Sequence, residues 1–234
     1  MTKYAIIVAG GSGTRMNNDT PKQFLEINGK PILMHTIARF YLYSPLTKII
    51  VVLPKREVDY WQHLVGKYDF DYDYQVVTGG RTRFQSVKNG LDTIASDPEG
   101  TAPEMQSTVA IHDGVRPLVP VKTIAFSYME ASKNGSGIAA IPLKDSIRTM
   151  TENGQTKALN RDQFRLMQTP QTFQLNAIKA AYEIEETPDL TDDATVFERA
   201  GNSIKLVDGA FENIKITTPE DLIIAKAILD ESGN

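Results

Sequence analysis

The sequence predicts an α/β fold with a mostly parallel sheet flanked by helices. Short apolar runs rich in Val and Ile alternate, along the 234 residues, with segments whose apolar residues recur at helical spacing. Glycine and proline separate these segments, and neither a repeat nor a change in composition marks a domain boundary. We therefore predict one Rossmann-like domain over residues 1–234. In that architecture, ligands bind at the carboxyl ends of the strands.

The predicted elements follow in order along the chain. Apolar, mostly β-branched runs that are closed by Gly, Pro or a polar residue predict strands at Ala5–Val8, Lys48–Leu53, Tyr74–Thr78, Val109–His112 and Gly137–Leu143. Apolar residues at helical spacing predict helices at Ile32–Leu42, Glu57–Tyr68, Phe84–Ala95 and Thr123–Lys133. Ser96–Ser107, which contains two prolines and a glycine, is predicted to be a loop.

The segment Asp145–Leu159 departs from this alternation. Two short strand-like runs, Asp145–Met150 and Thr156–Leu159, flank Asn153-Gly154, a dipeptide typical of β-hairpin turns. The hairpin has little apolar material for a core of its own, and isolated hairpins are marginally stable in water. Taken alone, it is either an arm that packs on a second subunit or a solvent-exposed flap. A later alternation, Asn213–Ile216, is interpreted as a strand that leads into a helix capped by Thr218.

Composition excludes several classes of function. The formal net charge of -4 disfavours a non-specific nucleic-acid binder, which usually carries a basic surplus. The absence of cysteine excludes disulfides, thiolate catalysis and cysteine-ligated zinc. No run approaches the roughly 18 apolar residues that span a bilayer, and the apolar run near the start is too short for a signal peptide. We expect a cytoplasmic protein without nucleic-acid or membrane partners.

A glycine loop with two cations follows the first predicted strand. Gly10, Gly11 and Gly13 would let backbone N–H groups approach a polyphosphate, and Arg15 and Lys22 would add positive charge. The phosphate-loop pattern G-x-x-x-x-G-K-S/T is absent. The dinucleotide pattern also fails, because it requires Gly or Ala where this chain has Met at position 16.

Six short motifs, in this order, resemble those of the sugar-phosphate nucleotidyltransferases. The first, with its Pro-Lys-Gln-Phe ending, is similar to that of the 2-C-methyl-D-erythritol 4-phosphate cytidylyltransferase family. The motifs are Ala9–Met16 with Pro21–Leu25, Gly79–Val87, His112–Pro117, Asn160-Arg161 with Gln168–Phe173, Thr191–Ala194 and Asn213–Thr217. The resemblance covers nearly the whole chain. It implies that CTP and a polyol phosphate are joined and pyrophosphate is released.

The resemblance also implies roles for residues on the nucleotide side. Arg15 and Lys22 would stabilise charge on the α-phosphate and the leaving pyrophosphate. Gly80 and Ser86 would meet the cytosine edge, and Asp113 would hold a Mg²⁺ ion together with the triphosphate. The other predicted nucleotide-binding residues are Ala9, Gly10, Gly11, Gly13 and Gly114.

On the acceptor side, the resemblance implies that Arg161 and Lys215 are catalytic residues that grip the phosphate of the polyol. Ser146, where the family commonly has Thr, and Thr169 would add hydroxyl groups. The family uses an arm like residues 145–159 to form a homodimer in which Arg161 and Ser146 reach the partner's site.

Several alternatives stay open at this point. A D-ribitol 5-phosphate cytidylyltransferase of the same fold is the nearest, and a non-catalytic nucleotide-binding regulator is an alternative of another class. His112 is interpreted as packed rather than catalytic, and Arg116 as an ion-pair partner within its loop. Arg81 and Arg83 have two interpretations, as ligand contacts or as structural ion pairs.

Overall fold

The computed structural model describes residues 1–11, 20–95 and 107–231. Its centre is a seven-stranded sheet with the order β11-β7-β10-β6-β1-β4-β5. Strand β10 runs antiparallel to both of its neighbours, β6 and β7, and the remaining pairs are parallel. The predicted α/β fold with a mostly parallel sheet is confirmed.

The strands of this sheet are β1 (Lys3–Val8), β4 (Lys48–Leu53), β5 (Gln75–Thr78), β6 (Thr108–Asp113), β7 (Ser136–Pro142), β10 (Arg165–Gln174) and β11 (Leu206–Asp208). Two small hairpins stand apart, formed by β2 (Glu26–Ile27) with β3 (Lys30–Pro31) and by β8 (Arg148–Met150) with β9 (Thr156–Ala158). The helices are α1 (Ile32–Tyr43), α2 (Val58–Lys67), α3 (Arg83–Ala95), α4 (Val121–Asn134), α5 (Leu175–Ala181), α6 (Asp193–Arg199) and α7 (Pro219–Glu231).

Hydrophobic cores lie on both faces of the sheet. Alternate residues of β1 point to opposite faces, so Tyr4 and Ile6 join one core while Ala5 and Ile7 join the other. Helices α3, α5 and α6 cover the first face, and α1, α2 and α4 cover the second. Burial on both faces explains why these strands have nearly continuous apolar sequences.

Two predictions need correction. The segment Asn213–Ile216 is not a strand. It forms no ladder of backbone hydrogen bonds with any described strand of the sheet, and Ile216 N–H donates to Val115 C=O, beyond the end of β6, at 2.9 Å. The two hairpin strands are three residues each and shorter than predicted. The predicted loop at residues 96–106, together with Gly13 and Arg15, lies outside the described residues. Within the described ranges, no helix has both the length and the apolar character that a membrane crossing requires.

Candidate active site

A cavity of about 230 Å³ opens at the carboxyl ends of β1, β5 and β6. Most of the predicted nucleotide-side residues that the structure describes line it, and Lys215 from the far end of the chain joins them. The lining residues are Val8, Ala9, Gly10, Gly11, Lys22, Gln23, Gly80, Arg81, Thr82, Arg83, Ser86, Asp113, Val115 and Lys215. The fold thus brings together motifs that are separated by up to two hundred positions, as expected at the edge of an open parallel sheet.

The first wall of the cavity is the start of the glycine loop. Ala9 is fixed from both sides, because its N–H donates to Val52 C=O and its carbonyl accepts from Gln23 Nε2, each at 2.9 Å. A Cβ atom on Gly11 would lie 3.0 Å from the Cε atom of Lys22, tighter than ordinary van der Waals contact. Glycine at position 11 therefore lets the backbone approach the nearly buried Lys22 side chain.

The second wall is the turn from β5 into α3. Ser86 Oγ accepts a hydrogen bond from Gly80 N–H at 3.1 Å and donates one to Thr82 C=O at 2.8 Å. A Cβ atom on Gly79 would lie 2.8 Å from this hydroxyl, so the close packing requires glycine there. In this structure the hydroxyl shapes the turn. The predicted contacts of Gly80 and Ser86 with a cytosine stay predictions.

Asp113, at the end of β6, is surrounded by cations. Its Oδ2 atom is 3.1 Å from Arg116 Nε and 3.2 Å from Lys215 Nζ, and its Oδ1 atom is 3.9 Å from Arg83 Nε. Burial opposes ionisation of this carboxyl group, but the positive charges of Lys215, Arg83 and Arg116 outweigh it and hold its pKa well below the usual range. Asp113 is therefore a buried carboxylate at any neutral pH, and the ion pair predicted for Arg116 is confirmed.

Arg83 is oriented by a buried carboxylate from α6. Two of its guanidinium nitrogens bond to the two oxygens of Asp193, at 2.8 and 2.5 Å, and Tyr182 donates a hydrogen bond to the same carboxylate at 2.6 Å. This resolves one of the two ambiguous arginines: Arg83 is an ion-pair partner that also lines the cavity. Arg81 is exposed and lines the cavity too. Sequence reasoning missed this role of Asp193, although a carboxylate within the Thr191–Ala194 motif was a visible signal.

His112 belongs to a buried network behind Asp113. Thr169 Oγ1 accepts the Asp113 N–H at 3.1 Å and lies 3.0 Å from His112 Nδ1, while His112 Nε2 lies 3.2 Å from Arg116 C=O. A carbonyl can only accept, so Nε2 carries the proton and the Thr169 hydroxyl donates to Nδ1. The ring is fully buried and makes an edge contact with Phe40. His112 is thus packed, as predicted, and the contact predicted between Thr169 and the acceptor stays a prediction.

Gly114 follows Asp113 and packs behind the cavity, which it does not line. Its N–H donates to Val8 C=O at 2.8 Å, and its carbonyl accepts from Thr36 Oγ1 at 2.9 Å. A Cβ atom here would lie 2.8 Å from that of Ala9. Both backbone groups of Gly114 are therefore used within the protein.

Three of the four predicted acceptor residues do not line the cavity: Thr169, which is buried behind Asp113, and Ser146 and Arg161. Ser146 and Arg161 are exposed, and Arg161 donates a hydrogen bond to Lys144 C=O at the base of the hairpin. The arm also exposes apolar groups, including Met150 at 77% and, just beyond it, Leu166 at 52%. A single chain therefore brings Lys215, but not Arg161, to the cavity.

Asp113 is the one carboxylate among the described residues that line the cavity. The described chain has no cluster of three or more His, Cys, Asp or Glu side chains suited to a metal ion. Oδ2 of Asp113 is engaged by two cations, whereas Oδ1 has Arg83 Nε only at 3.9 Å. This set fits a Mg²⁺ ion bound through one carboxylate, with phosphate oxygens and water as the other ligands, a common arrangement for magnesium in nucleotide sites.

Comparisons with known proteins agree with this geometry. A sequence model of the 2-C-methyl-D-erythritol 4-phosphate cytidylyltransferase family matches residues 3–231. Proteins of that name from Bacteroides fragilis and Geotalea uraniireducens are 44% and 40% identical to the chain, over 98% of its length and 100% and 97% of theirs. The crystal structure of 4-diphosphocytidyl-2C-methyl-D-erythritol synthase from Anaerococcus prevotii superimposes with a TM-score of 0.79 at 31% identity, covering 98% of this chain and 96% of that one. The cytidylyltransferase structure from Francisella tularensis gives a TM-score of 0.75 at 32% identity, with 97% and 99% covered.

Proposed function

Because the chain belongs to the 2-C-methyl-D-erythritol 4-phosphate cytidylyltransferase family, we propose that its cavity is where the cytidylyl group of CTP passes to 2-C-methyl-D-erythritol 4-phosphate. The products are the cytidine diphosphate derivative of methylerythritol and pyrophosphate, in isoprenoid precursor synthesis. One observation carries the assignment: Lys22, Arg83 and Lys215 come from three motifs and line a single cavity, in which Arg83 and Lys215 flank Asp113. Two polyanions can approach each other only where such a concentration of positive charge offsets their repulsion.

The chemistry needs alignment and charge stabilisation more than it needs a base. A phosphate oxygen of the acceptor attacks the α-phosphorus of CTP, a new P–O bond forms, and the bond to pyrophosphate breaks. The acceptor phosphate is largely dianionic near pH 7, because its second pKa is about 6, so its oxygen is already a nucleophile. The protein's work is therefore to hold the two substrates in line and to stabilise the charge that develops.

On the nucleotide side, Gly10, Gly11 and Gly13 would place backbone groups along the triphosphate. Ala9 and Gly114 would shape the nucleotide site rather than bind it through their backbone, because their N–H and C=O groups are bonded within the protein. Lys22 would stabilise the α-phosphate and the leaving pyrophosphate, and we assign the same role to Arg15. Gly80 and Ser86 would border the cytosine, where a small backbone-lined pocket would exclude a purine by size.

Asp113 would hold a Mg²⁺ ion, and that ion would supply charge neutralisation at the triphosphate. Support comes from the carboxylate itself, whose Oδ1 atom has, among the described residues, only the longer contact of 3.9 Å to Arg83, and from a chain that has no cysteine to favour a softer metal. The cations around Asp113 keep its carboxyl group ionised for this role.

On the acceptor side, we propose that Lys215 grips the phosphate of methylerythritol phosphate together with Arg161 of a second subunit. The second subunit's Ser146 would add a hydroxyl contact. Thr169 would support the site from behind Asp113, because its buried hydroxyl is already bonded to His112 and to the Asp113 N–H. The support is the exposed hairpin arm, with Met150 exposed on it, and the distance of Arg161 and Ser146 from their own chain's cavity. The enzyme would then be a homodimer with two composite sites, and a C2 interface would build both at once. We place it in the cytoplasm, with CTP and the polyol phosphate as its only partners besides its own copy.

Pyrophosphate release tests the assignment. The purified protein would be given CTP, ATP or UTP with either 2-C-methyl-D-erythritol 4-phosphate or D-ribitol 5-phosphate. Turnover should require CTP and should favour the methylerythritol substrate. Faster turnover with D-ribitol 5-phosphate would identify the protein as a D-ribitol 5-phosphate cytidylyltransferase. Nucleotide binding without pyrophosphate release would identify it as a non-catalytic regulator.

A further inference from the structure

The segment that carries Lys215 has no secondary structure of its own. Residues 209–217, here the lysine loop, connect β11 to α7 without forming a strand or helix. Lys215 nevertheless holds its ammonium group 3.2 Å from Asp113 Oδ2, although its side chain is 43% exposed. A long, flexible side chain keeps such a position only when the backbone beneath it is fixed. The residues that fix this backbone therefore also fix the position of the Lys215 ammonium group in the site.

Gln168 pairs with the lysine loop as a neighbouring strand would. It lies on β10 where the register with β7 shifts, between Met167 and Gln171. Its Nε2 atom donates to Ala210 C=O at 2.8 Å, and its Oε1 atom accepts the Ala210 N–H at 3.2 Å. One side-chain amide thus satisfies both backbone groups of Ala210. Gln168 itself is buried, with 5% of its surface exposed.

Two further contacts tie the loop to the same amide. Asn213 Nδ2 donates to Gln168 Oε1 at 3.2 Å and to Thr169 C=O at 2.8 Å, and the Asn213 side chain is fully buried. At the start of the loop, a Cβ atom on Gly209 would lie 2.5 Å from Gln168 Oε1. The loop therefore lies close against Gln168 at Gly209, and Ala210 and Asn213 are hydrogen-bonded to the Gln168 amide.

We propose that Gln168 is a positioning residue for the acceptor phosphate, acting through Lys215. Asn213 is two residues before Lys215, and on its other side Ile216 N–H bonds to Val115 C=O at 2.9 Å. Lys215 thus projects from a backbone that is held on both sides. Before it, the Gln168 amide holds Ala210 and Asn213, and Asn213 is also bonded to Thr169 C=O and, through its own carbonyl, to Arg116 Nη1 at 2.8 Å. The proposal rests on the role given to Lys215 in the proposed function.

The first test uses Gln168→Met, which keeps the length and burial of the side chain but removes all its hydrogen bonds. Thr172→Val is the matched control, because Thr172 is buried on the same strand and bonds at 2.8 Å to Ser127, away from the cavity. We expect Gln168→Met to raise the KM for the acceptor at least about tenfold and to leave the KM for CTP within about threefold, because uniform binding of one substrate is lost. Hydrogen exchange at residues 210–216 should become faster in this variant and not in Thr172→Val.

A double-mutant cycle with Lys215→Ala identifies the route of the effect. If Gln168 acts through Lys215, Gln168→Met should cost little more than about twofold once Lys215 has been removed, because the two residues are coupled. An equal loss of activity in both backgrounds would overturn the proposal, as would unchanged exchange in the lysine loop. Normal turnover by Lys215→Ala would instead refute the role of Lys215 in the proposed function, and the exchange measurement would still decide whether Gln168 orders the loop.

A second variant approaches the same contact from the loop. Gly209→Ala introduces a Cβ atom against Gln168 Oε1 and leaves every hydrogen-bonding group in the protein. It should raise the acceptor KM in the same direction as Gln168→Met, and wild-type kinetics together with wild-type exchange would contradict the proposal. This variant decides the question even if Gln168→Met does not fold.

Discussion

Protonation of His112 should destabilise the folded protein as the pH falls. The imidazole is fully buried, and burial lowers its pKa from 6.5 to about 4. In the unfolded chain the ring takes up a proton near pH 6.5, so between these two values the unfolded state binds more protons than the folded state. Stability is therefore fully present above about pH 6.5 and falls as the pH drops towards 4. A shift of this size corresponds to about 3 kcal/mol in total, of which about 2 kcal/mol is lost by pH 5.

Urea unfolding at pH 7.5 and pH 5 measures this loss. His112→Gln has no titrating ring, so its unfolding free energy should fall by about 2 kcal/mol less than that of the wild type over the interval. His63→Gln, at an exposed position of α2, is the matched control and should follow the wild type. Equal pH dependence of His112→Gln and the wild type would refute the reasoning, because the ring would then titrate alike in both states.

Three further predictions concern catalysis and assembly. Arg15→Ala and Lys22→Ala should each lower kcat at least about a hundredfold with folding unchanged, the usual cost of removing a preorganised charge-stabilising donor, and near-normal turnover would contradict their roles. Chelation with EDTA should abolish pyrophosphate release and added Mg²⁺ should restore it, whereas full activity in excess chelator would remove the metal from the account. Inactive Lys22→Ala and Arg161→Ala chains, once mixed as heterodimers, should regain one intact site, because each chain supplies what the other lacks. Heterodimers without recovered activity would show that Arg161 acts in the active site of its own subunit.

Local patterns predicted the strands β1, β4, β5, β6 and β7 and the helices α1 to α4 and α7, because burial on both faces of the sheet leaves a continuous apolar signature. They did not predict β10, β11, α5 or α6. Lys48–Leu53 was predicted with the bounds that the structure has, since Pro54 closes the run. The strand predicted at Asn213–Ile216 was wrong. The alternation there reflects the buried side chains of Asn213 and Ile216 and not pairing with a neighbouring strand.

The sequence predicts residues that bind a ligand directly, because their charge suits the substrate. It predicts less well the residues that hold another side chain in position. Lys22, Asp113 and Lys215 stand out as charges beside glycines or at strand ends, and the structure brings them into one cavity. The roles of Asp193 and Gln168 depend on contacts with residues 110 and 42 positions away, which no local pattern records. That the chain is one domain, with residues 145–159 as its dimer arm, stays a prediction.

A crystal structure with CTP and Mg²⁺ would test the central claim most directly. We expect the triphosphate to lie along Gly10 and Gly11 beside Lys22 and the cytosine to lie at the turn of Gly80. The metal ion should lie between the phosphates and Asp113. Clear density for the nucleotide at any other surface, with this cavity filled only by water, would contradict the central claim.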